Sequence, residues 1–282
     1  MDSISKFYKI FTDCFDFIPM SIDVFERKIS SCHMINEYAD GEIIGFSAVN
    51  ENSIVLICIH PDFQDKKYGS KLLLKSEKYI YEQGYRKVII GRSDCDLFFG
   101  AVMDNFSHRF FEKRGYVAYN GCLGMYLKSE NFDYGTTTTT IEKQASTDAV
   151  YSVCNKEKFG ELLETVSLVE PKWVRHFKSY ENVMTASVDG KIVGFLLLEP
   201  DADTLITTAD NKTGLFRYLG VLSENRKKHI GSGLMIHGIK YLADKGCTDL
   251  FINYTSLDQW YMRFGFKDYI WYLMCEKNLG DI

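Results

Sequence analysis

An internal repeat constrains this chain more than any other feature of its sequence. Three blocks recur in the same order in its two halves: Asp40–Phe46 with Asp189–Phe195, Tyr68–Leu73 with Ile230–Met235, and Phe110–Tyr116 with Trp260–Phe266. One such match can arise by chance, but three in order indicate that a fold has been duplicated. The spacing between blocks changes only in segments with loop character, where insertions are tolerated.

Both copies predict the same order of elements: two helices, a hairpin at Asp-Gly, a third strand, a long helix, a buried strand, a short helix and a last strand. In the first copy the main elements are Ile4–Phe15, Ile22–Ser30, Ser53–Ile59, Ser70–Gln83, Lys87–Gly91 and Val117–Lys128. In the second they are Lys156–Leu168, Lys172–Lys178, Gly214–Val221, Ser232–Lys245, Thr248–Tyr254 and Asp268–Cys275. This alternation predicts a mixed α/β fold, and we expect the first copy to lack an initial strand.

A length of 282 residues suits two domains. We predict an N-terminal domain over residues 1–132, a linker or exchanged strand over 133–149, and a C-terminal domain over 150–282. The threonine run Thr136–Thr140 fits a solvated loop or a strand, because threonine favours strands. Packing of the two copies about a pseudo-twofold axis is a further expectation.

Composition and charge exclude several classes of protein. The net charge of −5 offers no basic excess for a nucleic acid backbone. Eight scattered cysteines without a Cys-x-x-Cys pair indicate reduced thiols and a cytoplasmic protein. The sequence has no signal-peptide pattern and no apolar run of the ~20 residues that a membrane helix needs. The histidines lack metal-ligand spacing, so no metal is predicted.

The segment Tyr218–Leu234 carries the clearest chemical signal. A strand runs into a loop that opens a helix, and the free N–H groups and positive end of a helix suit a diphosphate. Gly231 has no side chain to keep a ligand from the backbone. Positive charge and a hydroxyl are supplied nearby by Arg226, Lys227, Lys228, His229 and Ser232. A solvated surface loop is the competing interpretation.

This segment resembles the GNAT signature Arg/Gln-x-x-Gly-x-Gly/Ala, which binds the diphosphate of coenzyme A. Arg226 fits the first position and Gly231 the last, while His229 stands where the first glycine is usual. The first copy fits at Gln64 and Gly69.

In the first copy Lys67 stands at the usual glycine, and there the surface-loop interpretation competes strongly. A short glycine motif is weak evidence alone, but two copies, each after a strand and before a long helix, are strong evidence. With the flanking blocks, the resemblance to a tandem GNAT protein covers most of both halves.

The resemblance implies an acetyl-CoA site in the second copy. It assigns cofactor contacts to Leu219, Gly220, Val221, Arg226, Lys227, Lys228, His229, Ile230, Gly231, Ser232 and Asn253. The strand before the loop is expected to separate from the next strand, and one of its amides is expected to polarise the thioester carbonyl.

The resemblance also implies direct attack of an amine on the thioester, with a tyrosine returning a proton to the thiolate. Tyr261, four residues before Gly265, fits that role, although it also fits a core aromatic. Phe111 stands at the equivalent position of the first copy and cannot donate a proton. We therefore predict that catalysis belongs to the C-terminal half.

An alkylammonium acceptor titrates near ~10.4 and must lose a proton before it attacks. Glu199 is the preferred general base, directly or through water, with Asp201 and Asp203 as alternatives. For each, a solvated carboxylate at a strand end is the competing interpretation.

These features predict an acyltransferase that moves acetyl from acetyl-CoA to the primary amine of a small molecule. A protein or peptide amine is the first alternative, and a non-catalytic CoA-binding regulatory module is the second. Lys67, His229 and Phe111 depart from the family pattern and favour that module. The N-terminal half is expected to be a degenerate scaffold and a wall of the acceptor cleft.

Overall fold

The computed structural model describes residues 3–103, 107–135 and 149–280. Twelve strands form one sheet: β1 His33–Ala39, β2 Glu42–Asn50, β3 Ser53–Ile59, β4 Lys87–Ile90, β5 Ala101–Val102, β6 Val117–Lys128, β7 Val150–Val153, β8 Val183–Val188, β9 Lys191–Pro200, β10 Thr213–Val221, β11 Asp249–Thr255 and β12 Lys267–Asn278. The α-helices are α1 Ser3–Cys14, α2 Ile22–Ile29, α3 Tyr68–Glu82, α4 Ser107–Glu112, α5 Phe159–Val169, α6 Ile230–Asp244 and α7 Asp258–Met262. The predicted mixed α/β class is confirmed.

The two halves exchange their last strands. The strand order is β1-β2-β3-β4-β12-β6-β11-β10-β9-β8-β7, with β5 pairing β12 outside this path. The last strand of the N-terminal half, β6, therefore pairs antiparallel with β11 of the C-terminal half. The last strand of the C-terminal half, β12, pairs antiparallel with β4 of the N-terminal half. Outwards from the central β12–β6 pair, β4-β3-β2-β1 on one side corresponds to β11-β10-β9-β8 on the other. Strand β7 at one edge and β5 off the path have no counterpart in this order.

The cores follow this exchange. The apolar face of α6 belongs to one buried cluster with Leu123, Met125 and Leu127 of the exchanged strand β6. The apolar face of α3 packs in a cluster with Cys275 and Leu279, which belong to the other end of the chain. Each half therefore completes both its sheet and its core with residues of the other half.

Most predicted elements are confirmed, with shifted ends. The long helices begin at Tyr68 and Ile230, two residues earlier than predicted. The residue before each helix, Lys67 or His229, has a positive φ of 67° or 58° and forms the helix cap. Helix α5 begins at Phe159 instead of residue 156, because residues 155–158 form a turn closed by a side-chain hydrogen bond.

One predicted helix is wrong in type. The helix predicted over Lys172–Lys178 is a 3₁₀ helix over Pro171–His176, followed by irregular chain up to residue 182. A proline in the first turn starts it, and the Phe177 amide donates to the Val174 carbonyl three residues back, which is 3₁₀ and not α geometry.

The remaining expectations have different outcomes. Helix α1 is the first described element, so the initial strand of the first copy is not tested. All eight cysteines are free. Thr136–Thr140 lies outside the described residues, and the proposed domain boundaries stay predictions.

A buried ionic contact joins the two halves beside the exchanged strands. Glu77 of α3 is 3% exposed, and both of its carboxylate oxygens lie 2.9 Å from Lys277 Nζ of β12. The Tyr116 hydroxyl donates to the same carboxylate at 3.0 Å. Burial and the nearby Glu77 charge raise the pKa of Tyr116, so this hydroxyl stays a donor.

We predict that Lys277→Met lowers the free energy of unfolding by roughly 2–4 kcal/mol, because it leaves a buried carboxylate without its cation. Urea denaturation measures this change. Lys87→Met is the matched control, since Lys87 pairs with Glu276 at the surface, where such contacts contribute about 1 kcal/mol or less. Equal losses in the two variants would contradict this role for Glu77.

Candidate active site

The parallel strands β10 and β11 separate to form a cleft in the C-terminal half. Their ladder covers only Thr213–Leu215 and Asp249–Phe251, whereas β10 continues to Val221 and β11 to Thr255. Beyond this ladder, the described part of β11 offers no pairing to β10. Main-chain groups of Leu219, Gly220 and Val221 therefore lie where the sequence predicted a separated strand.

A bulge in β10 sits beside this cleft. The β9–β10 register shifts between Arg217 and Gly220, and Tyr218 has a positive φ of 51°. A Cβ on Gly220 would lie 2.3 Å from the Phe195 ring, so no side chain fits there. Positive φ at a non-glycine residue is strained, and such strain is typical of functional sites. The sequence did not predict this bulge.

The start of α6 has the features of an anion-binding turn. The first amides of a helix have no partner within it, and among the described residues no side chain caps this one. Lys227 and His229 both have positive φ, at 63° and 58°. At Gly231 a Cβ would find Trp260 at 3.7 Å and Val221 at 3.8 Å, which are ordinary contacts. Trp260 and Val221 therefore border the helix start, where the dipole favours negative charge.

Arg226 has a structural role that the sequence did not reveal. Its Nε donates to the Val221 carbonyl at 3.1 Å, which fixes the end of β10 to the turn. In the N-terminal half the Gln64 Nε2 donates to the Ile59 carbonyl at 3.0 Å in the same way. Arginine and glutamine can both donate this bond, so either residue type suits the first motif position.

Asn253 supplies an unpaired donor beside the cleft. It lies on β11 just beyond the last residue paired with β10, and it is 7% exposed. Its side-chain nitrogen is buried and has no hydrogen-bond partner among the residues that the structure describes. Leaving such a donor unpaired costs about 1–3 kcal/mol. A carbonyl oxygen that entered between β10 and β11 would satisfy it; the contact of Asn253 with the coenzyme stays a prediction.

The equivalent cleft of the N-terminal half is closed. Strands β3 and β4 also separate early, after Ile54 and Ile90. Gly91, with φ of 66°, then donates to the Ile54 carbonyl, and the chain returns to pair β5 with β12. The remaining space is about 40 Å³, and its lining includes the buried rings of Phe98 and Phe111.

The turn before α3 has the same backbone conformation as the turn before α6, but side chains crowd it. Lys67 has the left-handed φ of its counterpart His229, and no side chain caps α3. The Phe110 ring lies 3.2 Å from a Cβ built on Gly69, and Arg114 donates to the Ser70 hydroxyl. Side chains of α4 and of the turn after it therefore crowd this helix start.

Tyr261 lies in α7 and is 8% exposed. Its ring contacts Trp260 and Phe266, with centroid distances of 4.8 Å and 6.1 Å. Burial raises the pKa of Tyr261 to about 12, so the hydroxyl keeps its proton at neutral pH. The side chain thus belongs to the core and also meets the first requirement of a general acid; its catalytic role stays a prediction.

Glu199 lines an open cleft of about 290 Å³. The other lining residues are His176, Lys178, Ser179, Glu181, Asn182, Leu197, Leu198 and Pro200. Its side chain is 40% exposed, and its Oε1 lies 2.7 Å from Arg217 Nε. Burial raises the pKa of Glu199, and Arg217 opposes that rise.

The two alternative bases differ from Glu199 in their surroundings. Asp203 forms two hydrogen bonds of 2.8 Å with Arg27, which hold the pKa of that carboxyl below its usual range. Asp201 follows β9 in a turn with φ of 69° and is exposed. Neither lines the cleft beside Glu199. Of the three carboxylates, Glu199 is the one that lines this cleft, and its role as the base stays a prediction.

An aromatic group lies beside the bulge in β10. The Tyr218 ring stacks on His176 at 4.6 Å and packs against Trp173 at 5.5 Å. Burial, followed by the charge of Arg175, lowers the pKa of His176, which favours the neutral imidazole. The group encloses the bulge on the side where the 290 Å³ cleft lies.

The chain belongs to the GNAT acetyltransferase family. One model, described as "Acetyltransferase (GNAT) family", matches residues 147–266, and another, described as "Acetyltransferase (GNAT) domain", matches residues 30–118. The two GNAT domains confirm the predicted tandem arrangement. The fold supports acyl-CoA-dependent N-acetyltransferase activity.

Solved structures show the same fold. A GCN5-related glucosamine N-acetyltransferase region in a fungal multi-domain GH3 β-N-acetylglucosaminidase superposes with a TM-score of 0.81 at 20% identity, over 98% of this chain and 37% of that chain. This chain thus spans little more than a third of that protein. A GCN5-related N-acetyltransferase from Sphaerobacter thermophilus gives 0.72 at 16% identity, over 97% and 93%. A tandem GNAT protein of the clavulanic acid biosynthesis pathway gives 0.64 at 11% identity, over 99% and 96%.

The search of curated proteins found no match. Among the described helices, none has both the length and the apolar content needed to cross a bilayer.

Proposed function

We propose that this protein transfers acetyl from acetyl-CoA to the primary amine of a small molecule, in an active site of its C-terminal half. The observation that carries the proposal is the contrast between the two halves. The β10–β11 cleft combines an uncapped helix start with the unpaired Asn253 amide, whereas the N-terminal cleft is filled by its own chain.

The C-terminal half offers donors along the whole length of the proposed coenzyme site. The amides from His229 to Ser232 would hold the diphosphate, with Lys227 and Lys228 exposed beside them. Asn253 and the main chain of Leu219–Val221 would hold the pantetheine arm. Bound acetyl-CoA supplies an acetyl group activated as a thioester.

The chain's own residues would manage the protons. Glu199 would accept a proton from the acceptor's ammonium, directly or through water, because its raised pKa makes it a stronger base than an ordinary carboxylate. Tyr261 would hold a proton at its hydroxyl oxygen for the departing thiolate. An amide of the bulged strand would polarise the thioester carbonyl.

The cleft beside Glu199 supports a small acceptor. Its volume of about 290 Å³ is at the lower end of ordinary small-molecule sites. The fungal structural neighbour is described as a glucosamine N-acetyltransferase, which makes D-glucosamine a first acceptor to assay. Alkyl diamines, amino acids and a short peptide with a free N-terminus complete the panel. If the peptide alone stimulates CoA release, the acceptor is a protein amine.

The coenzyme site predicts one acetyl-CoA per chain in isothermal titration calorimetry. Asn253→Leu should weaken binding about tenfold, since one hydrogen bond of ordinary strength is lost. It should not lower the melting temperature of the free protein, because the amide is unpaired there. Asn278→Leu, at an exposed site on β12, is the matched control. Two sites per chain would contradict a closed N-terminal cleft. Unchanged affinity in Asn253→Leu would show that the coenzyme does not bind at Asn253.

Tyr261→Phe should reduce turnover by on the order of 10²-fold, because general acid catalysis typically contributes that much. Its acetyl-CoA affinity should stay near that of the unmodified protein. Release of the free thiol, followed with a thiol reagent, measures the rate with the best amine of the panel. Tyr85→Phe, at an exposed position of the N-terminal half, is the control. If CoA binds but no amine stimulates its release, the protein is a non-catalytic CoA-binding module.

A further inference from the structure

A row of charged side chains extends from the N-terminal half into the proposed active site. Arg217 of β10 contacts two carboxylates at once: Asp96 through Nη2, and Glu199 through Nε at 2.7 Å. Asp96 belongs to the segment between β4 and β5, so it comes from the other GNAT domain. The side chains of Arg217 and Asp96 are only 18% and 24% exposed, so solvent screens this contact weakly.

The segment that carries Asp96 is held in place by the N-terminal half. Asp96 has a positive φ of 49°, and its amide donates to the Ser93 carbonyl at 3.1 Å. Lys28 of α2 donates to the Asp96 carbonyl at 3.2 Å. The neighbouring Cys95 Sγ lies 3.5 Å from the Cys32 Sγ. These contacts fix the Asp96 carboxylate against Arg217.

We propose that Asp96 is a positioning residue for the C-terminal active site. Its carboxylate binds the Arg217 guanidinium and offsets part of the positive charge, so that Glu199 can accept a proton. The proposal rests on the proposed function of Glu199 as general base. It gives the N-terminal domain a part in catalysis although its own coenzyme cleft is closed.

The direction of the effect follows from the charges around Glu199. The groups that face it are Arg217, Asp96 and Lys28, together with His176, Lys178 and Glu181 along the cleft. Burial raises the pKa of Glu199 most, Arg217 and Lys28 lower it, and Asp96 raises it. Without the Asp96 charge, Arg217 acts on Glu199 alone, so Asp96→Asn should lower the pKa of Glu199.

Titration of the Glu199 carboxyl by NMR tests this without any acceptor. The full chain is labelled with ¹³C at glutamate carboxyls, and the Glu199 signal is assigned by its loss in Glu199→Gln. Asp96→Asn should move the midpoint to lower pH, and Asp96→Glu should bring it back towards that of the unmodified protein. Asp94→Asn removes an exposed carboxylate from the same segment and should leave the midpoint unchanged.

A pH profile of kcat/KM with the best amine of the panel is the second measurement. The rate requires deprotonated Glu199 and falls as pH drops through its pKa, so the acidic limb in Asp96→Asn should shift to lower pH. The ratio of the Asp96→Asn rate to the unmodified rate should be severalfold higher on the acidic limb than on the plateau. Asp94→Asn should show a constant ratio.

The outcomes separate the two proposals. An unchanged Glu199 midpoint in a folded Asp96→Asn protein overturns the role of Asp96, whatever the enzyme does. If Glu199→Gln retains the full rate and the acidic limb, Glu199 is not the base, and the kinetic part of the inference fails with it. A shifted midpoint together with a shifted acidic limb supports both.

Discussion

The exchange of the last strands is the constraint on which the rest of the structure depends. Strand β6 supplies the neighbour of β11, and β12 supplies the neighbour of β4, so the backbone hydrogen bonds of each half's sheet are completed by the other half. The two domains cannot separate without leaving strand edges and apolar helix faces unpaired. The exchange therefore fixes the Asp96 segment of one domain beside the cleft that Glu199 lines in the other.

One duplicated scaffold has acquired two different clefts. The turns before α3 and α6 keep the same left-handed cap and the same bond from a motif side chain to a strand-end carbonyl. The difference arises beyond the first residues of β4 and β11. Gly91 turns the chain back into the N-terminal cleft, whereas Asn253 continues the strand and leaves its amide unpaired. Strand direction at these two positions, more than the motif itself, distinguishes the two clefts.

Local sequence patterns predicted the elements and the separation of β10 from β11 but not the long-range pairing. The Asp-Gly turns, the two motif turns and the alternation of strands and helices are short-range signals, and they were confirmed. The strand exchange could not be predicted, because the apolar pattern of β6 suits an edge of either half. The bulge at Tyr218 also depends on tertiary packing, since the Phe195 ring excludes any side chain at Gly220. Arg226 was expected at the coenzyme, and its bond to the Val221 carbonyl became visible only in three dimensions.

A crystal structure of the full chain grown with coenzyme A tests the central claim most directly. The account predicts that the diphosphate accepts hydrogen bonds from the main-chain amides at Gly231 and Ser232, with the pantetheine arm between β10 and β11. A carbonyl of that arm should lie within hydrogen-bond distance of the Asn253 Nδ2. Coenzyme A bound at the Lys67–Ser70 turn, or a β10–β11 cleft filled by the protein's own side chains, would contradict it.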